Sequence, residues 1–346
     1  MSNIKAKTSH INTGADILKF IMSVFVVATH TGLFAPHLTP LVRLAVPVFF
    51  VLSGYFFFSK INSLDAPNDK RAYLKKSVKH NLQLYAFWFI VLSPITFYIR
   101  DYFSGGVIKG TLTLFHNFLL GSTFQASWYI TALIIGIIIL FFMSQRCNNL
   151  TLIVIGVLFY AIAVLSSNYE FIIRANETVY EAYCGFTDIF LLPCRNFFAG
   201  MIYLVLGKIL AEEKKSPGTG KDAFMTLACF TGLTGEYMAL YFGRVQIKDT
   251  DCFIMLPLTA FFLCRWVLSL EIECTFGKTL RKLSTLSYCM HMAVFMCVGK
   301  FLSALDIIDF GNIIVFALTL VLTWGLSFII IKLQEYKIFG FLKYSH

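Results

Sequence analysis

The sequence predicts an all-helical membrane protein, a bundle of about ten transmembrane helices. Three observations carry that expectation. Of the 346 residues, 58% are apolar and only 14% are charged, against roughly 25% charged in soluble domains. Apolar stretches of the length that a ~30 Å hydrocarbon core demands recur along the whole chain. Lys and Arg are divided unequally between alternate connections. A soluble fold of this length has too little interior to hide so much apolar surface, whereas a lipid-facing one leaves it against hydrocarbon.

Taken in order, the spans are predicted at 16–35, 42–59, 82–99, 127–144, 150–167, 189–210, 222–242, 251–270, 284–303 and 312–333. The stretch Thr111–Ser122 is too short to cross and reads as an interfacial or re-entrant helix. No internal repeat is evident and the longest connections, 60–81, 100–126 and 168–188, are still short. One membrane domain over 1–346 is therefore expected. The first apolar stretch is long and no small-residue cleavage site follows it, so it is expected to stay as the first span. Pro47, Pro94, Pro193 and Pro257 fall inside spans and are expected to interrupt them.

Orientation follows from counting Lys and Arg. With the N-terminus inside, the inner segments hold 20 of them, including Lys5, Lys7, six across Lys60–Lys79 and four across Arg265–Lys282. The outer segments hold seven: Arg43, Arg100, Lys109, Arg174, Arg244, Lys248 and Lys300. That bias places both termini in the cytoplasm and supports an even number of crossings. It also explains the net charge of +10 without nucleic acid, which is not an expected partner; the lipid bilayer is. The nine cysteines form no CxxC pair and no metal site is expected. Cys184 and Cys252 fall on the outer side, where pairing is open.

Ionisable groups inside a bilayer cost at least ~2.5–3.5 kcal/mol and usually face a bundle interior or a watery cavity. The deep candidates are Lys19, His30, Arg195, Glu236 and His291. His30 follows Lys19 by eleven positions. At ~100° each they come back to within ~20° of the same helix face, about 16 Å further along the axis. The competing reading is a snorkelling lysine and a histidine satisfied by a neighbour. Glu236 follows Asp222 by the interval at which His30 follows Asp16, so both should lie at similar, outer depth. An Arg195–Glu236 ion pair is one possibility; a carboxylate holding the tautomer of a catalytic histidine is the other. His291, with Tyr288 one turn before it, is placed on the inner side about two turns into its span, where a helix–helix hydrogen bond is the simple reading. The basic segment Asp69–Lys79 is helical in pattern. It reads either as the positive-inside signal against anionic lipid or as a cytosolic polyphosphate site. Trp128 and Tyr129 open the fourth span on the outer side, as an aromatic belt would; Gln125 and Ser127 would add polar contacts to an outer cavity.

In this order these residues resemble the acyltransferase 3 family of integral membrane proteins over nearly the whole chain. Lys19-(ten residues)-His30 resembles its basic-(ten)-His motif in the first helix. Val48-Phe49-Phe50-Val51-Leu52-Ser53-Gly54-Tyr55 is similar to its FFxxSGF stretch, and Lys70-Arg71 to its dibasic loop before the third helix. Ser127-Trp128-Tyr129-Ile130 resembles its WFL-type helix start. Arg195-Asn196-Phe-Phe-Ala-Gly200 through Leu206-Gly207 resembles its RNxxxG…G segment, and Tyr288-Cys-Met-His291 its late YxxH. Family members usually carry Arg where this chain has Lys19. That lysine, with Glu236 and Asp251-Cys-Phe-Ile-Met-Leu-Pro257, brings the chain nearer to the membrane domain of the membrane-bound serine racemases of vancomycin-resistance clusters. Those proteins add a cytosolic pyridoxal-phosphate racemase domain that these 346 residues do not contain, and which is a possible partner.

The resemblance implies a bacterial plasma-membrane enzyme of the cell envelope that moves an acyl group, often acetyl, from cytosolic acyl-CoA to a small-molecule or glycan acceptor outside. In that scheme Lys70 and Arg71 hold the CoA phosphates, and Lys19 guides the donor. Ser53 with Gly54 leaves room for the pantetheine arm. His30 is catalytic base or acyl carrier and Glu236 orients it. Arg195, Trp128 and Tyr129 meet the acceptor or the oxyanion, with Tyr288 and His291 in supporting places. The alternative function is a transporter of L-serine or another small amino acid, or the membrane part of a serine racemase system.

Overall fold

The computed structural model describes residues 12–33, 36–213, 220–243, 250–305 and 311–346. Lys5, Lys7, Lys214, Lys215, Arg244 and Lys248 of the charge count lie outside these, as does the predicted end of the first span at 34–35. Fourteen α-helices follow one another among the described residues, and no strand: α1 (Thr13–Thr31), α2 (Thr39–Val42), α3 (Ala45–Asn62), α4 (Pro67–Ile99), α5 (Val107–Leu120), α6 (Trp128–Met143), α7 (Asn149–Leu165), α8 (Glu170–Arg174), α9 (Glu177–Phe190), α10 (Phe197–Glu212), α11 (Gly220–Phe242), α12 (Leu256–Ser269), α13 (Gly277–Ala304) and α14 (Asn312–Leu333).

A helix occupies each of the ten predicted apolar stretches, but not all of these helices can cross a membrane on length and composition alone. Thr13–Thr31, Thr39–Asn62, Pro67–Ile99, Gly277–Ala304 and Asn312–Leu333 can; Glu177–Arg195 with Phe197–Glu212 forms a sixth candidate, bent by 43°. α6, α7 and α12 are apolar but shorter. α5 is the short helix expected near 111–122; only Gly110 of it is buried.

Polar side chains fix where the helices begin. Asn12 caps α1 by accepting from the Ala15 amide at 2.9 Å, Asn148 caps α7 through Thr151 at 2.9 Å, and Asn196 caps α10 through Phe198 at 3.0 Å; each satisfies one of the amides that a first turn leaves without a helical partner. Three of the four prolines expected to interrupt spans sit at helix starts instead. Pro257 is at the N-terminus of α12, Pro193 opens a 3-10 turn before α10, and Pro47 lies in the first turn of α3, where its missing N–H costs nothing. Pro94 alone of the four is inside a helix, α4.

The most extensive helix pairing joins α3 to α10, and glycines make it. A Cβ on Gly207 would lie 2.2 Å from the Val51 carbonyl oxygen, and one on Gly54 would lie 2.7 Å from that of Leu204. Gly54 therefore serves close backbone approach, which small residues permit in membrane bundles, and does not open a channel for pantetheine as expected. α1 packs on α13, and α13 on α14, which brings the two histidine-bearing helices side by side.

Candidate active site

His30 lies in the last turn of α1, whose end is set by Gly32 at φ 68°, a left-handed conformation that glycine adopts without strain. Its side chain is exposed and lines a cavity of about 390 Å³ between the ends of α1, α3, α6 and α10. Trp128, Gln125, Arg195, Arg43 and Asp251 share that lining. Two turns have unusual conformations, one at the lining residue Ala126 and one at Leu191, three residues before the lining residue Cys194. Ala126 has φ 61° and Leu191 has φ 58°, in the left-handed region that costs a side-chain-bearing residue roughly 1–2 kcal/mol. The Tyr288 hydroxyl donates to the Ala126 carbonyl and holds the first of these turns in place.

His291 stands beside His30, with ring centroids 5.0 Å apart, and not on the inner side where the sequence placed it. The reason is the start of its helix. α13 begins at Gly277, so His291 lies about 21 Å along the helix at 1.5 Å per residue, close to the ~25 Å that separates His30 from the start of α1. Its ring is fully buried. Nδ1 lies 2.8 Å from the Tyr288 carbonyl and 3.1 Å from that of Ser287. Carbonyls only accept, so Nδ1 carries the proton of the neutral ring. Nε2 then presents a lone pair, and it has no hydrogen-bond partner.

Glu236 is occupied elsewhere. One carboxylate oxygen accepts from the Tyr169 hydroxyl at 2.7 Å and the Ile254 amide at 2.7 Å, and the other accepts from the Met255 amide at 2.9 Å. It thus ties the amides preceding α12 to the loop after α7, a negative charge at a helix N-terminus. The expected contacts with His30 or Arg195 are not among its bonds. Tyr169, outside the spans, has its phenol pushed above the ordinary range by burial and then by this bond to Glu236.

Arg195 pairs with Asp251. It sits in the 3-10 turn Pro193–Arg195 and not seven residues inside a helix, because Leu191 and Pro193 break the chain before Asn196 restarts it. Asp251 binds Arg43 through its other oxygen. Arg43 also donates to Thr250 at 2.5 Å, and Arg100 to the Ser122 carbonyl. Sequence reasoning missed Arg43, Arg100 and Asp251 as site residues. The first two looked like ordinary loop charges and the last appeared only within a resembling stretch.

Ser53 and Tyr129, assigned to donor and acceptor, bond each other at 3.0 Å. The Tyr129 ring packs at 5.3 Å on Tyr288 and at 4.6 Å on Phe50, so these groups form a buried aromatic wall behind the cavity. Toward the other end of α1, the Lys19 ammonium lies 4.8 Å from the Phe56 ring centre, and Asp16 takes a bidentate pair from Arg281 at 2.8 Å and 2.8 Å. Lys70 and Arg71 are in the first turns of α4, with Arg71 exposed. Neither makes an ion pair among the described residues. Cys184 is a free thiol, so its pairing with Cys252 is not formed.

Long apolar helices, with a charged cavity and two imidazoles at one end, define a helical membrane protein with an internal polar site. Residues 12–332 match the family model for an acyltransferase domain, and the chain belongs to that family, acyltransferase 3. Among curated proteins it is similar to a serine/alanine racemase of Enterococcus gallinarum, 26% identical over 327 residues that cover 91% of this chain and 45% of the relative. It is also similar to an amino-acid racemase of Enterococcus faecalis, 24% identical over 342 residues covering 94% and 47%. The chain spans less than half the length of these relatives. No solved structure matches it.

Proposed function

We propose that this chain crosses a bacterial plasma membrane about ten times, both termini inside, and transfers an acyl group, acetyl being expected, from cytosolic acyl-CoA to a hydroxyl or amine held in the His30 cavity. The observation that carries this reading is an accessible imidazole in a charged cavity, backed by a second, buried imidazole whose lone pair has no partner. CoA phosphates would bind the half-buried Lys70 and the exposed Arg71, cations at a helix start of the kind that suit anions. The acyl thioester would pass Lys19 toward His30.

His30 takes the acceptor's proton as its oxygen attacks the thioester carbonyl carbon. The new C–O bond forms, the C–S bond breaks, and the proton leaves His30 for the departing thiolate, giving the ester and free CoA. Nε2 of His291 accepts a ring N–H of His30 after a small rotation and so fixes which His30 nitrogen is the base, the part assigned from sequence to Glu236. In this reading Arg195 or Trp128 would stabilise the developing oxyanion or bind the acceptor. The test is transfer of radiolabelled acetyl from acetyl-CoA by the reconstituted chain, comparing His30→Ala with wild type; undiminished transfer in the variant would remove His30 from the mechanism.

A second reading rests on the relatives, which are named racemases of serine, alanine and other amino acids: a transporter of L-serine or the membrane part of a racemase system. Uptake of labelled serine into proteoliposomes without CoA would favour it over acyl transfer.

A further inference from the structure

The cations of the His30 cavity come from three distant parts of the chain. Arg43 ends α2, Arg100 ends α4 and Arg195 ends the turn before α10. All three line the cavity, and among its described lining residues Asp251 is the one carboxylate facing them. Asp251 places one oxygen on Arg43 and the other on Arg195, so this carboxylate holds two guanidiniums side by side, and among the described lining residues the arginines outnumber it. The Arg195 side chain stays 44% exposed and that of Arg43 24%, against 12% for Asp251. The cations are more exposed than the anion between them.

This gathering runs against the charge bias of the molecule. Only seven Lys and Arg lie in the outer segments, as the positive-inside rule leads one to expect. Two of those seven meet Arg195 in one cavity. Guanidinium forks match carboxylate and phosphate in geometry as well as charge, and a cavity of about 390 Å³ is at the scale of small-molecule sites.

We propose that the acyl acceptor is a small hydroxyl- or amine-bearing molecule that also carries a carboxylate or phosphate, its anionic group held between Arg195, Arg43 and Arg100 while its nucleophile faces His30. Its role as acceptor rests on the acyl-transfer reading; the anion site does not.

The test uses the full chain in phosphatidylcholine nanodiscs, without CoA, titrated calorimetrically with three matched hexoses: glucose, glucuronate and glucose 6-phosphate. Glucuronate, glucose 6-phosphate or both should bind at least tenfold more tightly than glucose, and the stronger of the two tells carboxylate from phosphate. Arg195→Gln and Arg100→Gln should each weaken the anionic sugar by roughly tenfold or more, the scale of one charge-assisted hydrogen bond, with glucose unchanged and Arg195→Lys partly restoring binding. If Arg195→Gln fails to fold, Arg100→Gln and the wild-type series decide. Equal affinity for the three sugars, no binding of either anion, or anion binding indifferent to the arginines overturns the proposal. Acetyl-CoA is then added. Anions that bind while nothing is ever acetylated would sink acyl transfer and leave the anion site standing; transfer to neutral hydroxyls alone would do the reverse.

Discussion

Replacing Gly207 with alanine attacks the crossing on which the site is built. The added Cβ would meet the Val51 carbonyl oxygen at 2.2 Å, the Tyr55 nitrogen at 2.8 Å and the Gly54 Cα at 3.0 Å. Ordinary contact begins near 3.4 Å, so the deficit is about 1.2 Å, and every opposing atom is backbone, which cannot rotate away. α3 and α10 must separate by a comparable distance along their whole contact. Overpacking of that kind costs typically 1–3 kcal/mol, which lowers the unfolding temperature by a few degrees in a chain of this size. Activity should suffer too, because Phe50 of α3 and Tyr203 of α10 line the His30 cavity and stack at 6.3 Å. The assay is thermal unfolding of the purified protein in detergent, beside acyl transfer. Gly235→Ala is the control: nothing lies within 4 Å of its Cβ, and alanine in a helix should hold or raise stability by up to about 1 kcal/mol. If Gly207→Ala unfolds at the wild-type temperature, the reasoning from the α3–α10 contact fails.

Glu236→Gln should destabilise the protein by roughly 1–3 kcal/mol, since its carboxylate accepts three hydrogen bonds, yet leave transfer within severalfold of wild type; a loss as deep as that of His30→Ala would restore Glu236 to the catalytic role assigned from sequence. His291→Phe should lower kcat by about 10–100-fold, the usual effect of an orienting partner, with KM little changed, a displaced pH–rate profile and partial rescue by His291→Gln; a change in KM alone would contradict it. Arg71→Ala should abolish the thermal stabilisation that acetyl-CoA gives the wild type, and unchanged stabilisation would place the donor phosphates elsewhere.

Helix positions were legible in the sequence because hydropathy is a local property: every predicted apolar stretch holds a helix, and the basic helical pattern of Asp69–Lys79 is the first part of α4. Depth and pairing were not. His291 was misplaced because the polar first turns of α13, before Ser284, look like loop when only apolarity is counted. Arg195 was misplaced because the break made by Leu191 at positive φ and by Pro193 lies between two apolar runs that read as one span. The partners of Glu236 are two backbone amides and the hydroxyl of Tyr169, 67 residues away in the chain, which no local side-chain pattern announces. The Arg43–Asp251 bridge joins residues 208 apart, and a contact of that range has no sequence period. The single-helix register of Lys19 and His30 does follow from helix geometry alone, and the family resemblance places the remaining motifs in order.

The most direct measurement is the rate of acetyl transfer from acetyl-CoA into membranes containing His30→Ala, matched to wild type for amount and unfolding temperature. A general base contributes typically 10²–10⁴-fold, so transfer should fall by at least a hundredfold while acetyl-CoA still stabilises the protein. A folded His30→Ala protein that transfers at the wild-type rate would contradict the assignment of this cavity as the place where the acyl group moves.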